Sequence, residues 1–210
     1  GVYVPDVASH VLAVHAIRAA GVVPSPIGAA STISMMAEQL TDCGARLLVT
    51  ADPLVPAALS AAYGSWVRQV ISFDDAPGTV PFWSLLSRGL QPPVTAGQAD
   101  LALVPYVARP GGGRQAAPVT HAQLAAQLAR LAAPAVVSSS DVVLAAPPDG
   151  CAREYTVLLD LALLQGATVV ASPADALPDA ARRYGGTAAI VPAGTAFPAG
   201  LPVRPVTVAC

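Results

Sequence analysis

The chain has 210 residues, of which 54% are hydrophobic and only 11% charged, and its formal net charge is -2. All 11 basic residues are arginine, and they form no basic cluster, so neither a nucleic-acid-binding surface nor a polybasic membrane patch is indicated. The apolar runs end well before the ~20 residues that a bilayer span needs, which predicts a soluble protein. Because globular proteins are about 25% charged, we expect some apolar surface to contact a partner or a second copy.

The metal-binding and redox-active residues are few and scattered. Cys43, Cys151 and Cys210 are odd in number and widely spaced, which predicts neither a disulfide framework nor a zinc site and favours the cytoplasm. His10 and His15 lie near one side of the first predicted helix without acidic or cysteine neighbours, so we predict no metal site there. No signal peptide is visible, and a start without Met suggests a processed or excised piece.

The first part of the chain alternates predicted helices with predicted strands. Apolar residues at helical spacing and glycine stop signals indicate the helices, and short runs of branched apolar residues indicate the strands. The predicted helices cover residues 6–20, 31–44 and 53–63, and the predicted strands cover residues 46–50 and 66–73.

Residues 74–98 are rich in Pro and Gly and predict an irregular connection, with one short helix candidate at 82–86. The alternation then resumes. Predicted strands cover residues 101–106, 141–146, 167–171, 187–192 and 203–210, and predicted helices cover residues 120–132, 153–165 and 175–184.

Strands built almost wholly from Val, Leu, Ile and Ala, with helices between them, are typical of parallel sheets covered on both faces. The predicted class is therefore α/β, with mostly parallel sheets flanked by helices on both faces. We expect a first α/β lobe at residues 1–80, a connection at 81–100 and a second α/β lobe at 101–210, with the lobes packed as one unit.

Three consecutive glycines, Gly111, Gly112 and Gly113, lie between a predicted strand and a predicted helix. Glycines in that position let backbone N–H groups approach an anion, and the following helix N-terminus adds a favourable dipole. A plain flexible loop is the alternative, and on the glycines alone we favour it.

The residues around these glycines resemble the adenylate-forming superfamily, which includes acyl- and aryl-CoA synthetases, 4-coumarate-CoA-ligase-like enzymes and adenylation domains. There the run is Y-[TS]-S-G-T-T-G-x-P-K-G-V-x-x-T-H, and Tyr106 and the Thr120-His121 pair have the same separation here. Residues 6–26, 38–50 and 156–170 are similar to three further stretches of the family. The resemblance thus implies the N-terminal subdomains of such an enzyme.

Between Tyr106 and Thr120 the sequence departs from that pattern. The family's Ser, first Gly and two Thr correspond to Ala108, Arg109, Pro110 and Gly111, and its Pro-Lys-Gly corresponds to Arg114, Gln115 and Ala116. The resemblance implies ATP and Mg²⁺, but the hydroxyls and the lysine that contact phosphate are replaced, so we predict no cofactor and no catalytic residue. The predicted degenerate nucleotide loop comprises Tyr106, Ala108, Arg109, Gly111, Gly112, Gly113, Arg114, Gln115, Thr120 and His121.

The acyl-pocket motif P-L-F-H-x-x-G of the family is altered as well. Cys151 stands where the His falls and Glu154 where the Gly falls, and an Arg153–Glu154 pair buried in an acyl pocket is costly unless hydrogen-bonded. Cys151 with His121 as base is a conceivable nucleophile, but a small buried thiol is the more common fate of a lone cysteine.

Residues 203–210 look like the strand that precedes a G-[GA]-A-P turn in the family. The later aromatic-Gly-x-[ST]-Glu motif, the ribose-binding Asp and the lid with its catalytic Lys have no counterpart in the sequence. With no lysine in the chain, that last role has no candidate.

Our main hypothesis is a catalytically inactive, adenylation-like domain with a structural or docking role, in or beside a polyketide or nonribosomal-peptide assembly line of a bacterium. Its expected partner is a synthase domain, a carrier protein or a second copy, with no nucleic acid and no membrane. The alternatives are a fragment of an acyl-CoA or acyl-carrier-protein ligase completed by further sequence, and a non-catalytic acyl or nucleotide binding module. In the last case Arg109 and Arg114 would bind an anion such as a phosphopantetheine phosphate.

Overall fold

A computed structural model describes residues 1–86, 94–133, 136–146, 152–192, 197 and 201–208. The helices are α1 (Val7–Ala19), α2 (Ile33–Asp42), α3 (Val55–Tyr63), α4 (His121–Ala132), α5 (Ala152–Leu164) and α6 (Leu177–Tyr184). The first strands are β1 (Val2–Tyr3), β2 (Leu47–Thr50), β3 (Gln69–Ser72), β4 (Val80–Pro81), β5 (Leu101–Leu103) and β6 (Tyr106–Ala108). The remaining strands are β7 (Arg114–Ala116), β8 (Val119–Thr120), β9 (Val142–Ala145), β10 (Thr168–Ala171), β11 (Ala188–Pro192) and β12 (Arg204–Val208).

Two four-stranded parallel sheets organise these elements. The first sheet has the order β1-β2-β3-β4, and the second sheet has the order β10-β9-β11-β12. Two antiparallel pairs, β5 with β8 and β6 with β7, lie outside these sheets. The predicted α/β class with mostly parallel sheets is confirmed.

Both faces of each sheet are covered, which explains why the strands lack a polar alternation. In the first sheet, Leu48 packs against α2 and α3, whereas its neighbour Val49 packs against α1. In the second sheet, Val143 packs against α5, and Leu144 packs against α6. Successive residues of a strand point to opposite faces, so a strand buried on both sides must be apolar throughout.

Helices α1 and α5 meet between the two sheets at what we call the α1–α5 interface. Arg18 of α1 donates from NH1 to both carboxylate oxygens of Asp160 on α5, at 3.0 and 2.8 Å, and from Nε to the carbonyl oxygen of Ala102 at 3.2 Å. His15 Nε2 lies 3.3 Å from Asp160 Oδ1. The buried carboxylate of Asp160 thus joins α5 to α1, and Asp160 and Arg18 are 142 positions apart in the sequence.

Hydrogen bonds at the helix starts explain why the sequence located them well. The side chain of Asp6 accepts from Ser9 N at 2.9 Å, and Thr32 Oγ1 accepts from Met35 N at 3.3 Å, so both act as N-caps. The predicted starts at residues 6 and 31 therefore lie within a residue or two of α1 and α2. The last predicted helix begins later than expected, because a 3₁₀ turn at Ala174–Ala176 precedes α6.

The hairpin made by β6 and β7 was not predicted from the sequence, nor were β1, β4 and β8. Each of these strands has only two or three residues, too few to show a period of two. The short helix candidate at 82–86 is a 3₁₀ turn, Phe82–Leu85. The lobe boundaries at 80 and 100 stay a prediction.

Candidate functional site: the glycine hairpin and its groove

The triple glycine forms the turn of the β6–β7 hairpin, which we call the glycine hairpin (residues 106–116). Arg109 N donates to Gly113 O at 3.0 Å, and Gly112 N donates to Arg109 O at 3.0 Å, so the turn is closed by its own backbone. The glycines lie between strand β6 and helix α4, but not at the start of the helix. Strands β7 and β8 separate them from α4, because the chain reverses at the turn instead of entering the helix.

The backbone conformation explains why three glycines stand there. The φ angles of Gly111, Gly112 and Gly113 are 93, 104 and 78°, a region in which residues with a Cβ are strained. A Cβ added at any of the three would meet no other atom within 4 Å. The turn therefore needs glycine for its conformation and not for the close approach of another group.

The amino terminus of α4 has no free first-turn amide with which to bind an anion. Thr120 and Gln123 form a reciprocal capping box, in which each side chain accepts from the backbone of the other residue. The first three amides of α4 donate from His121 N to Asp100 O (2.9 Å), from Ala122 N to Gln98 O (3.0 Å) and from Gln123 N to Thr120 Oγ1 (3.2 Å). These N–H groups usually make a helix start attractive to phosphate, and here the protein itself uses them.

A groove of about 680 Å³ lies between α2 and the glycine hairpin. Among its lining residues, Tyr106 donates from its hydroxyl to Asp42 Oδ2, and Arg114 NH2 donates to the carbonyl oxygen of Tyr106 at 2.7 Å. Burial and, second, the hydrogen bond with Asp42 raise the pKa of Tyr106 well above its usual range. Tyr106 therefore stays a neutral donor and holds the hairpin against α2.

The walls of the groove carry opposite charges. Glu38 and Asp42 lie on α2, and Arg109 and Arg114 lie on the hairpin. Two carboxylates facing two guanidinium groups leave little net attraction for a polyphosphate. Of the predicted loop, Ala108, Arg109 and Gln115 are exposed, whereas Thr120 and His121 belong to the α4 start and do not line the groove.

The acyl-pocket-equivalent residues are only partly visible. Cys151 lies outside the described residues. Glu154 lies in the first turn of α5, with an oxygen 3.9 Å from Arg153 NH1, and both side chains are about a third exposed. The pair is therefore only partly buried, and exposure to water reduces its desolvation cost.

A small cavity near the start of α5 was not predicted from the sequence. It measures about 20 Å³, enough for a single water molecule, and is lined in part by Asp6, His10 and Tyr155. Thr156 Oγ1 donates to Ala152 O at 2.6 Å and therefore accepts from His10 Nε2 at 2.9 Å. Burial lowers the pKa of His10 to about 4, so its ring is neutral. Such long-range contacts leave no sequence signal.

The described residues contain no group of three or more His, Cys, Asp or Glu side chains that could hold a metal ion. His10 is bonded to Thr156 and His15 to Asp160. With the α4 amides occupied, these residues offer no free N–H group for a phosphate at the start of that helix. Nor does any helix among them have the length and apolarity needed to cross a membrane.

Two stacked parallel sheets with helices between and outside them define the fold as that of the N-terminal region of adenylate-forming enzymes. The family model described as AMP-binding enzyme matches residues 1–193, and the chain belongs to that family. No curated protein sequence matches the chain significantly.

Solved structures of such enzymes share the fold. A long-chain-fatty-acid-CoA ligase (FadD1) from Archaeoglobus fulgidus is 22% identical, with a TM-score of 0.78 over 90% of this chain. MbtA from Mycobacterium smegmatis is 23% identical (TM-score 0.73, 90% of this chain), and a benzoate CoA ligase from Burkholderia xenovorans is 21% identical (TM-score 0.70, 90% of this chain). The chain spans 39%, 37% and 38% of these three proteins, respectively.

Proposed function

We propose that this chain is a non-catalytic member of the AMP-binding enzyme family that works in the cytoplasm by docking to another protein. The observation that carries the proposal is the occupied start of α4 beside a glycine hairpin without lysine or hydroxyl groups at the positions where the family has them. All three first-turn amides of α4 already donate within the protein. The part of the fold that resembles a phosphate-binding loop is therefore organised as a structural turn.

The expected reduction in catalysis is large. Removing one preorganised donor from a transition-state site costs about 3–4 kcal/mol, or about 10²- to 10³-fold in rate. In the glycine hairpin Gln115 replaces the family's lysine, and Pro110 and Gly111 replace its two threonines. Because three phosphate-binding side chains are replaced together, we expect adenylate formation to fall below the detection limit.

Docking is supported by the surface. Large apolar side chains are exposed around the first sheet, among them Tyr63, Trp66 and Trp83. Aromatic side chains are enriched in protein interfaces, and because the chain has few charged residues, few of them surround these aromatic side chains. A synthase domain, a carrier protein or a second copy, in a bacterial polyketide or nonribosomal-peptide system, are the partners that we propose.

The test is ATP–pyrophosphate exchange with a panel of carboxylic acids, together with isothermal titration of ATP, CoA and pantetheine phosphate. We expect neither exchange nor heat. A competent ligase of the same fold is the positive control. The double variant Arg109→Ala/Arg114→Ala shows whether any heat arises at the hairpin. Reproducible exchange that exceeds the no-enzyme rate would contradict the proposal.

The same assays separate the two alternatives. Because the chain spans less than two fifths of the three ligase-like structures, it would serve as one part of a ligase if the remaining motifs lay on other sequence. Exchange by this chain, or by a longer polypeptide that carries it, would show that the chain is part of a ligase. Heat without exchange, abolished in the double variant, would instead show an anion-binding module that uses Arg109 and Arg114.

A further inference from the structure

The two ends of the first sheet carry opposite charges and an exposed tryptophan each. In a parallel sheet all strands point the same way, so the residues before the strands meet at one end and the residues after them meet at the other. We call the two surfaces the basic end (Arg46, Leu47, Trp66 and Arg68) and the acidic end (Asp52, Asp74, Asp75 and Trp83). They lie at opposite ends of the same sheet.

Three residues of the basic end contact one another. The guanidinium carbon of Arg46 lies 5.8 Å from the centre of the Trp66 ring, and Arg68 N donates to Arg46 O at 2.8 Å. Trp66 is 59% exposed and Leu47 44% exposed. Neither Arg46 nor Arg68 forms an ion pair with a described residue. The nearby Asp42 is engaged by the hydroxyl of Tyr106.

The acidic end is also held in place. Asp52 N donates to Asp74 Oδ2 at 2.7 Å, which ties the segment after β2 to the segment after β3. Trp83 packs edge-on against Phe73, with ring centres 5.8 Å apart, and yet is 55% exposed. The carboxylates of this end form no ion pair with a described residue.

We propose that two copies of this chain bind head to tail, with the basic end of one copy against the acidic end of the next. The inference rests on the proposed docking role and deepens it by naming a second copy as the partner. The charge complementarity favours a second copy, because each copy carries both halves of the interface. Such a contact is heterologous, so each bound copy keeps one free end and assembly continues beyond the dimer.

The aromatic and the charged side chains contribute differently to the proposed contact. Trp and Arg are the residues most enriched among those that dominate binding energy, and Trp66 and Trp83 supply the apolar contact. Exposed ion pairs contribute little energy but steer and orient the partners, and salt weakens them. Assembly should therefore depend on concentration and weaken as the ionic strength rises.

Sedimentation equilibrium of the full chain tests the proposal without any nucleotide, so its outcome is independent of the ATP assays. We expect the weight-average mass to rise above the 21.0 kDa of the monomer as the concentration increases. It should rise less at 1 M NaCl, where the Debye length is only about 3 Å. A single species of monomer mass up to millimolar concentration would overturn the proposal.

Two charge-reversal variants identify the surfaces. Arg46→Glu/Arg68→Glu reverses the basic end, and Asp52→Arg/Asp75→Arg reverses the acidic end while keeping Asp74, whose carboxylate has a structural role. We expect each variant alone to associate at least about tenfold more weakly than the wild type, a loss of about 1.4 kcal/mol. Circular dichroism confirms that each is folded.

The decisive step mixes the two variants. Each keeps one intact end, and the two reversed ends are again opposite in charge, so a heterologous interface predicts that the mixture associates more strongly than either variant alone. A matched control, Arg130→Glu/Arg183→Glu, makes the same change in net charge on α4 and α6 and should self-associate like the wild type. The proposal fails if the mixture stays monomeric, or if the control loses association as strongly as the basic-end variant.

Discussion

Replacing Asp160 by asparagine tests how strongly the α1–α5 interface holds the two sheets together. The carboxylate of Asp160 is 7% exposed and accepts two hydrogen bonds from Arg18, whose side chain is 13% exposed. Asp160→Asn leaves the guanidinium buried without its counter-charge. Breaking a buried pair in this way costs about 3–5 kcal/mol.

The hydrogen bonds of Arg18 place the expected loss at the lower limit of that range. Arg18 keeps the carbonyl oxygen of Ala102, so about 3 kcal/mol is the expected loss in the free energy of unfolding. For a domain of this size that corresponds to a fall in melting temperature of about 6–12 °C. The double variant Arg18→Met/Asp160→Leu removes both charges and should lie within about 1 kcal/mol of the wild type.

Urea unfolding followed by two probes makes the measurement. Trp66 and Trp83, the only two tryptophans, report on the first sheet, whereas far-ultraviolet circular dichroism reports on the helices packed against both sheets. The two transitions should coincide in the wild type and separate in Asp160→Asn. A loss below about 1 kcal/mol in the single variant, or a double variant as unstable as the single one, would refute the reasoning.

Three further perturbations have definite expected results. The pKa of Asp141 lies well below its usual range, mainly because its carboxylate accepts a hydrogen bond from the hydroxyl of Thr187 and also because other donors surround it. The stability it provides is present above the unfolded pKa of about 4 and is lost as the pH falls below it, so Asp141→Asn should cost about 2 kcal/mol at pH 7 and progressively less under acid in urea titrations. Gly112→Ala should cost about 1 kcal/mol because of its positive φ, whereas Gly64→Ala, at a φ of -87°, should be neutral or stabilising in the same titrations. Tyr106→Phe should lower the free energy of unfolding by about 1–2 kcal/mol, and an unchanged value would show that its bond to α2 contributes nothing.

The long elements of the fold could be predicted because local patterns determine them. Buried strands such as β2 and β9 are continuous apolar runs, and the caps at Asp6 and Thr32 mark helix starts within a few residues. Short strands such as β8 exist only because a remote partner, β5, supplies their hydrogen bonds, and no local pattern encodes that partner.

The candidate site was less predictable for the same reason. The sequence indicated which loop to inspect and which phosphate-binding residues were replaced, but it did not indicate the strands that separate the glycines from α4. Asp42 and Tyr106 are 64 positions apart, and neither sequence neighbourhood indicates that they meet. The occupied α4 amides depend on Gln98 and Asp100, which precede the helix by more than twenty positions and hold it through main-chain carbonyls that any residue would supply.

The positive φ angles of the glycine hairpin bear on how such motifs persist during evolution. A turn that demands glycine at three successive positions selects for those glycines through folding alone, whether or not a nucleotide ever binds. The glycines of such a turn can therefore be retained after phosphate binding is lost. Among family members, the polar residues on either side of the turn are the better record of whether phosphate is still bound.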